Sequence, residues 1–594
     1  MPDRSSRDKR QPNADFFVSP QGDDGNSGTA DRPFRTVARA QEAVRAEITR
    51  RLNRNLTVLL RSGRHELAQP LVFGPEDSGT GAHSITYAAY PGEHPVISGG
   101  RRVAAWRPDH DGTWAAELSQ HAGPASDFRA LWVNGRRAVR ARLPHPDDDP
   151  PYWQLVSGDL ADDLATFTLT LPPGTVRPWR DVGDLEVVVL GAWEITRKRV
   201  TRVDAAAGRV TLAPAHVFGH SAMQPASRMP CYFENGEEML DRPGEWHVKR
   251  RAGLLRYLPQ PGEDLTKAEV IVPALTQLVR IAGTPERPVR NVRFTGLTFS
   301  YTHWPLPAHG YNGRQACSYF PAQPAGQVDD STIDNPLIDA ALDWEYAHEC
   351  RLEQCEISHT SGSGFRLRKG CRRNVVERNR VFDTGANGVM VGEDWCRLHL
   401  AGGQPPAHDV PTGNVVANND VHDCGAEYHG AVGVWVAFTD GTVVSHNLVH
   451  DLPYTGISVG FIWNDQPTVC RNNVIEGNHI HDVMRMLADG GGIYTLGLQP
   501  GTVLRGNLIH DISRGPCTYA SSPNNGIFFD EGSSGYLIED NIIYNTPEGA
   551  TRFNASREEA HTWRNNSLDV SPASPKFPDE RAKQAGPQPR ADEE

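Results

Sequence analysis

Along the second half of the chain, apolar and polar positions alternate with a period of two residues, the pattern of strands rather than helices. From about Asn291 to Asp569 one line recurs: Asn379 to Asp383, Asn419 to Asp423, Asn447 to Asp451, Asn478 to Asp482, Asn507 to Asp511 and Asn541 to Asn545. Successive asparagines differ by 40, 28, 31, 29 and 34 residues. A period near 30 with turns of unequal length predicts stacked coils. Within each line the Val or Ile must face the interior, which places the asparagines inside and the histidines outside. A buried amide needs partners, and the coils above and below can supply them. The expected fold is all-β: a right-handed parallel β-helix.

A second strand in each coil opens with Gly and a β-branched residue, at Gly388-Val389, Gly433-Val434, Gly456-Ile457, Gly492-Ile493 and Gly526-Ile527. Val434, Ile457, Ile493 and Ile527 then point inward, and Trp435, Ser458, Tyr494 and Phe528 point outward. The outward rings suit either a platform on which a sugar stacks or packing beneath a long turn or an inserted domain.

Upstream, the pattern divides the chain further. Residues 1–14 are charged, polar and expected to be disordered, and 15–100 are expected to form an N-terminal cap and the first coils. An amphipathic helix through Ala38, Ala40, Ala43 and Val44 is placed to cover the open end of the solenoid. Residues 101–288 break the coil rhythm with short alternating strands and the turn signals Asn134-Gly135, Asn235-Gly236 and Pro243-Gly244. They predict an inserted, antiparallel, sandwich-like domain. The main β-helix is expected over 289–569, and the Pro-rich, charged stretch 570–594 is expected to be a disordered tail.

Composition narrows the function. With 56 Gly, 45 Pro and a formal charge of −13 over 594 residues, the chain suits a loop-rich β protein and argues against a nucleic-acid partner. No apolar stretch is long enough for a membrane span. The polar start lacks the apolar core of a leader, which predicts a cytoplasmic protein, or a secreted one if a leader has been removed. Nine cysteines without framework spacing are expected to be buried and reduced.

Two carboxylates stand out as candidates for catalysis. Asp489 precedes Gly490, Gly491 and Gly492, and Asp530 lies just before Gly532. Both occupy glycine-rich segments that let a ligand approach closely. A pair of carboxylates flanking a glycosidic oxygen is the minimum apparatus for hydrolysis, one as acid and the other as nucleophile or base. Aligning the two coils offsets the pair by seven residues, so a fully extended chain would separate them by roughly 23 Å. Their convergence is expected to require a fold-back at the three glycines. Glu427, His429, Trp435, Trp463, Tyr494, Phe528, Glu531 and Trp344 are the candidate substrate-binding residues. The stacked His422, His450, His481 and His510 are read as a solvated row, because the aspartates that follow them cap turns or face inward. Neither a metal nor another cofactor is expected, and the acidic turn Asp23-Asp24-Gly25-Asn26 lacks the late Glu of a calcium loop.

The run from Tyr454 to Gly460, through Asp489 to Gly497, to Asp530-Glu531-Gly532-Ser533-Ser534 resembles glycoside hydrolase family 141. The Pro20 to Thr36 stretch and the Phe233 to Gly236 and Pro243 to Trp246 segments are similar too. The resemblance implies a β-helical enzyme with inserted β-sandwich elements, an α-L-fucosidase or xylanase, in which Asp489 and Asp530 form the catalytic pair. The partner is then an oligo- or polysaccharide. A β-helical polysaccharide lyase and a non-catalytic carbohydrate-binding β-helix are the alternatives.

Overall fold

The computed structural model describes residues 13–118, 127–161, 165–213, 229–319, 336–517 and 522–589. Three parallel sheets of 12, 11 and 10 strands run the length of the molecule and form the faces of a β-helix. One typical coil takes Val415–Ala417 in the first sheet, Asp420–Cys424 in the second and Val434–Ala437 in the third. Val416, Val421, Val434 and Val436 fill its interior, each essentially inaccessible.

The asparagine line lies where the corner between the first and second sheets turns inward. Asn379, Asn419, Asn447, Asn478, Asn507 and Asn541 each donate Nδ2 to the Oδ1 of the asparagine one coil on, at 2.9–3.0 Å, with Asn566 closing the series. The second Nδ2 hydrogen goes to a carbonyl one coil back, as from Asn447 to Val416 O at 3.0 Å. Each Oδ1 also accepts a backbone N–H, as Asn447 does from Asn419 at 2.9 Å. Every amide group is thereby satisfied without water, and slipping one coil would break several bonds at once.

Glycines 388, 433, 456, 492 and 526 also stack. A Cβ on Gly433 would lie 2.6 Å from Val449 Cγ1 and 2.8 Å from Gly456 O. The coils approach too closely there for any side chain.

The helix Val37–Arg51 caps the first end. Thr36 accepts from Arg39 N at 3.1 Å to start it, and Val37, Ala40, Gln41 and Val44 are its buried residues. Gln41 and Arg45 donate to Val72 O at 2.8 and 3.1 Å, satisfying a carbonyl of Leu71–Phe73, the terminal strand of the third sheet. Asp24, from the turn considered for calcium, instead accepts from Arg35 N and Thr36 N at 2.9 and 2.8 Å.

The antiparallel insert leaves at Gly100–Arg102 and ends with Val270–Pro273. It contains a four-stranded and a five-stranded sheet and eight strands of a nine-stranded one, over two apolar cores. Coil strands resume at Val279–Ala282, which pairs in parallel with both Leu71–Phe73 and Ala340–Glu345. The return to the β-helix therefore falls before the expected boundary at 288. Asn134 and Gly135 both have positive φ, as a two-residue hairpin turn between Trp132–Val133 and Arg136–Arg137 requires. A second excursion leaves the same corner after Thr298–Thr302, and its Tyr311–Asn312 pairs with the insert strand Ile195–Asp204.

At the chain's ends, residues 1–12 lie outside the described residues, whereas Asp15 N donates to Thr57 O at 2.9 Å. The expected disordered tail is corrected over 570–589, which straps across successive coils. Phe577 packs on Tyr544, Arg581 pairs with Asp540 at 2.9 Å, Gly586 N donates to Gly477 O at 2.8 Å, and Gln588 N donates to Asn418 Oδ1 at 2.9 Å. Turn-corner polar groups, rather than an apolar run, hold this segment, so its composition disguised its order. All nine cysteines are buried and unbridged.

Replacing Asn447 by Leu strands the Asn419 N–H and one Asn419 Nδ2 hydrogen in the interior. At about 1–3 kcal/mol for each unsatisfied group, the variant should lose about 2–5 kcal/mol in urea unfolding, and a loss below about 1 kcal/mol would contradict this account of the ladder.

Candidate active site

A cavity of about 380 Å³ lies over the outer face of the third sheet. Asp489, Tyr494, Asp530, Glu531 and Asn554 line it from the coils. Trp193 and Glu194 come from the insert, Arg314 and Gln315 from the second excursion, Cys396, Arg397 and Leu400 from the short helix Cys396–Leu400, and Trp463 from a turn.

The two aspartates reach this cavity from opposite ends of one strand pair. Gly490–Thr495 and Asn524–Phe529 are in register from Gly490↔Asn524 to Thr495↔Phe529. Asp489 therefore precedes its strand and Asp530 follows the neighbouring one. The expected fold-back at the glycines does not occur, since Gly490, Gly491 and Gly492 are themselves strand residues. They are glycines for want of room: a Cβ on Gly491 would lie 2.5 Å from Asn525 O, and one on Gly492 would lie 2.4 Å from Ile509 Cγ2.

Long side chains bridge the span instead. Tyr494 donates its hydroxyl to Asp530 Oδ2 at 2.5 Å, and Asn554 Nδ2 donates to Asp530 Oδ1 at 2.7 Å. Arg552 donates Nη1 to Asp489 Oδ1 at 2.7 Å and to Pro523 O at 3.1 Å. Its guanidinium lies 4.0 Å from the centroid of Phe528, so Phe528 is a buried floor beneath Arg552. Behind Asp489, Gln315 donates to Tyr454 OH at 2.6 Å, and that hydroxyl donates to the Asp489 carbonyl at 3.1 Å.

The environments of the two acids differ. Burial pushes the Asp489 carboxyl up to about 6, against the pull of Arg552 and with help from the negative charges of Asp530 and Glu531. Asp530 accepts from two neutral donors, one on each oxygen, which hold its orientation. The pair thus offers one group able to keep a proton up to a pH of about 6 and one whose two oxygens are held by hydrogen-bond donors.

Of the residues proposed for substrate binding, Trp463, Tyr494 and Glu531 line the cavity. Trp463 forms a wall, its ring 4.3 Å from the Arg314 guanidinium carbon. Glu427 and His429 are corrected to the seam between insert and coils. Glu427 pairs with Arg137 at 3.0 Å, and burial raises its carboxyl. His429 Nε2 meets Tyr232 OH at 2.9 Å. Trp435 and Trp344 are fully buried: Trp435 packs against Phe461, and Trp344 against Phe365 inside the coil. The outward aromatic row is therefore covered rather than exposed. The segment around Gln315 lies over it, where Asn387 donates to Ala316 O at 2.9 Å.

Sequence reasoning missed Arg552 and Asn554, although Phe528 pairs with Arg552 in register and an alignment of the final coil would have placed both. It also missed Trp193 and Glu194, because nothing in a hairpin turn announces which distant coil it touches. In the structure Ala488 N donates to Ala192 O at 2.6 Å, docking that turn beside Asp489. The histidine row stacks as expected: His422, His450, His481 and His510 have ring centroids 4.8–5.2 Å apart between Phe382 and Tyr544.

Comparison with known proteins places these features. Residues 112–260 match the GH141 insertion domain, and residues 408–543 match the right-handed β-helix region. A solved structure described as a glycoside hydrolase is 26% identical with a TM-score of 0.82, covering 96% of this chain and 98% of its own. A XylC complex with xylose is 13% identical with a TM-score of 0.46, covering 91% of this chain and 69% of its own. An uncharacterized protein of Bacillus subtilis, YwoF, is 37% identical over 84 residues, 14% of this chain and 15% of that protein.

Because the folded Asp489 carboxyl holds its proton more tightly than an unfolded one, it costs stability as pH rises from about 4 to about 6. Asp489→Asn removes that cost. Two units at about 1.4 kcal/mol each, with the pull of Arg552 already included, should stabilise the variant by about 1–3 kcal/mol at pH 8 and not at pH 4. Urea unfolding at the two pH values checks this, and a variant no more stable than the parent at pH 8 contradicts it.

Proposed function

The chain belongs to glycoside hydrolase family 141, and from that premise we propose that it hydrolyses a neutral glycan of the α-L-fucoside or β-xyloside type, with Asp489 and Asp530 as the catalytic pair. The observation that carries this reading is that two carboxylates in unlike environments line one ring-walled cavity.

Asp489 donates its proton to the departing glycosidic oxygen. Desolvation keeps that proton in place up to a pH of about 6, and Arg552 orients the carboxyl and stabilises the carboxylate left after transfer. Asp530 faces the anomeric carbon and either attacks it or draws a proton from the attacking water. Tyr494 and Asn554 hold both of its oxygens, which limits rotation away from the reacting centre. Trp463 and Trp193 supply apolar faces for a sugar ring.

A panel of aryl and alkyl glycosides, beginning with α-L-fucosides and β-xylosides, tests the proposal. Asp530→Asn should lower kcat/KM by at least about 10³-fold on every substrate, since the step at the anomeric carbon is common to all. Asp489→Asn should cost at least about 10²-fold on alkyl glycosides and much less on nitrophenyl glycosides, whose leaving groups need little protonation. In the parent, kcat/KM should fall as pH rises through about 6, as the proton leaves Asp489. An unsaturated product absorbing in the ultraviolet, or full turnover in Asp530→Asn, would overturn it.

A further inference from the structure

On a different face of the β-helix, the outer side of the second sheet, we propose that Asp420, His422 and His450 form a binding site for a divalent transition metal such as zinc. The site follows from strand geometry. Asp420 and His422 stand two residues apart on Asp420–Cys424, with the fully buried Val421 between them, so both side chains project outward. His422 is the register partner of His450 one coil on. The triad thus joins two positions of one strand to one position of its neighbour and bridges two coils.

The donor atoms already cluster. His450 Nε2 is 3.1 Å from Asp420 Oδ1, and His422 Nε2 is 4.0 Å from Asp420 Oδ2. One donor atom from each of the three lies within 4.8 Å of the others. Ligands about 2.0–2.1 Å from a tetrahedral ion are separated by roughly 3.3 Å. The two rings are stacked at 4.8 Å and 14°, so closing on one ion requires them to tilt out of the stack until their Nε2 atoms converge.

The opposite edge of each ring is already fixed. His422 Nδ1 meets Asp423 Oδ2 at 2.7 Å, and His450 Nδ1 meets Asp451 Oδ2 at 2.6 Å. A carboxylate on Nδ1 keeps a hydrogen there and strengthens Nε2 as a ligand, and at His450 the ion displaces the Nε2 hydrogen that otherwise goes to Asp420 Oδ1 at 3.1 Å. Two imidazoles and one carboxylate suit zinc or a similar ion, with a fourth position for water. The acids following each histidine could not supply a mixed ligand set. Asp420, the acid before one, does.

The rest of the row lacks this set. His481 and His510 carry the same Nδ1 partners, Asp482 and Asp511. Down the coils, however, the position of Asp420 is taken by Leu448, then His479, then Leu508. One competing donor is present: Arg380 Nε donates to His422 Nε2 at 3.2 Å. The ion replaces that contact, and Arg380 keeps its place over the Phe382 ring, 4.0 Å from the centroid. The Asp420 side chain is 37% exposed, which leaves a route for entry.

Isothermal titration of the metal-free full chain with Zn²⁺, and the visible spectrum of its Co²⁺ form, test the site without an activity assay. The parent should bind one equivalent with a Kd in the micromolar range or below. His450→Gln should weaken binding by at least 100-fold, Asp423→Asn by about 10–100-fold, and His510→Gln should leave it unchanged. If His450→Gln fails to reproduce the parent's metal-free thermal unfolding, Asp420→Asn, at the most exposed ligand, replaces it with the same expectation. Absence of stoichiometric binding by the parent, binding that survives loss of His450 or Asp420, or binding lost with His510→Gln would each overturn the proposal.

Discussion

The constraint on which this molecule depends is the locking of each coil to the next in one parallel register. Backbone bonds alone would permit a slip, because every coil offers the same ladder of N–H and C=O groups. The buried asparagines remove that freedom, since each amide is satisfied only when its neighbour stands directly above or below it. A fixed register is also what gives the outer faces their chemistry. Tyr494 reaches Asp530 on the next coil, and Arg552 reaches across Phe528 to Asp489 two coils away, because the strands between them hold one register.

The insert completes the site from outside, and a buried charge network governs its placement. Glu186 lies among Arg129, Arg140 and Arg197 at 2.9, 2.8 and 3.4 Å, and their charges hold its carboxyl well below its usual range. Arg197 also donates to the Glu427 carbonyl at 3.2 Å, while Arg137 spans Glu427 and Asp383 across the seam. Removing one partner from such a cluster leaves an uncompensated buried charge, so the network specifies one docking geometry more than it adds stability. That geometry brings Trp193 and Glu194 to the cavity. Glu427 and His429 therefore matter to the site through the joint they hold, not through contact with a sugar.

What the sequence made legible follows from periodicity. The Asn-x-Val/Ile line reports a local rule, repeated many times, so the coils, the buried asparagines and the stacked histidines could all be read from it. The outward aromatic row was placed on the right face, but its exposure could not be read, because the cover comes from Arg314 to Cys317, far away in sequence. The three glycines before Ile493 suggested flexibility, whereas the structure uses them for close approach between extended strands. Asp489 and Asp530 were singled out by local composition, but the way they share a cavity depends on the reach of Arg552 and Tyr494, which no spacing rule encodes. The order of the tail escaped notice because its anchors are single polar contacts on successive corners.

A crystal structure of the full chain with its released monosaccharide tests the central claim most directly. The account predicts the sugar ring between Trp463 and Trp193, with its anomeric centre facing Asp530 and its anomeric hydroxyl within hydrogen-bond reach of Asp489. A sugar bound on another face, or one in this cavity that turns its anomeric carbon away from both carboxylates, would contradict it.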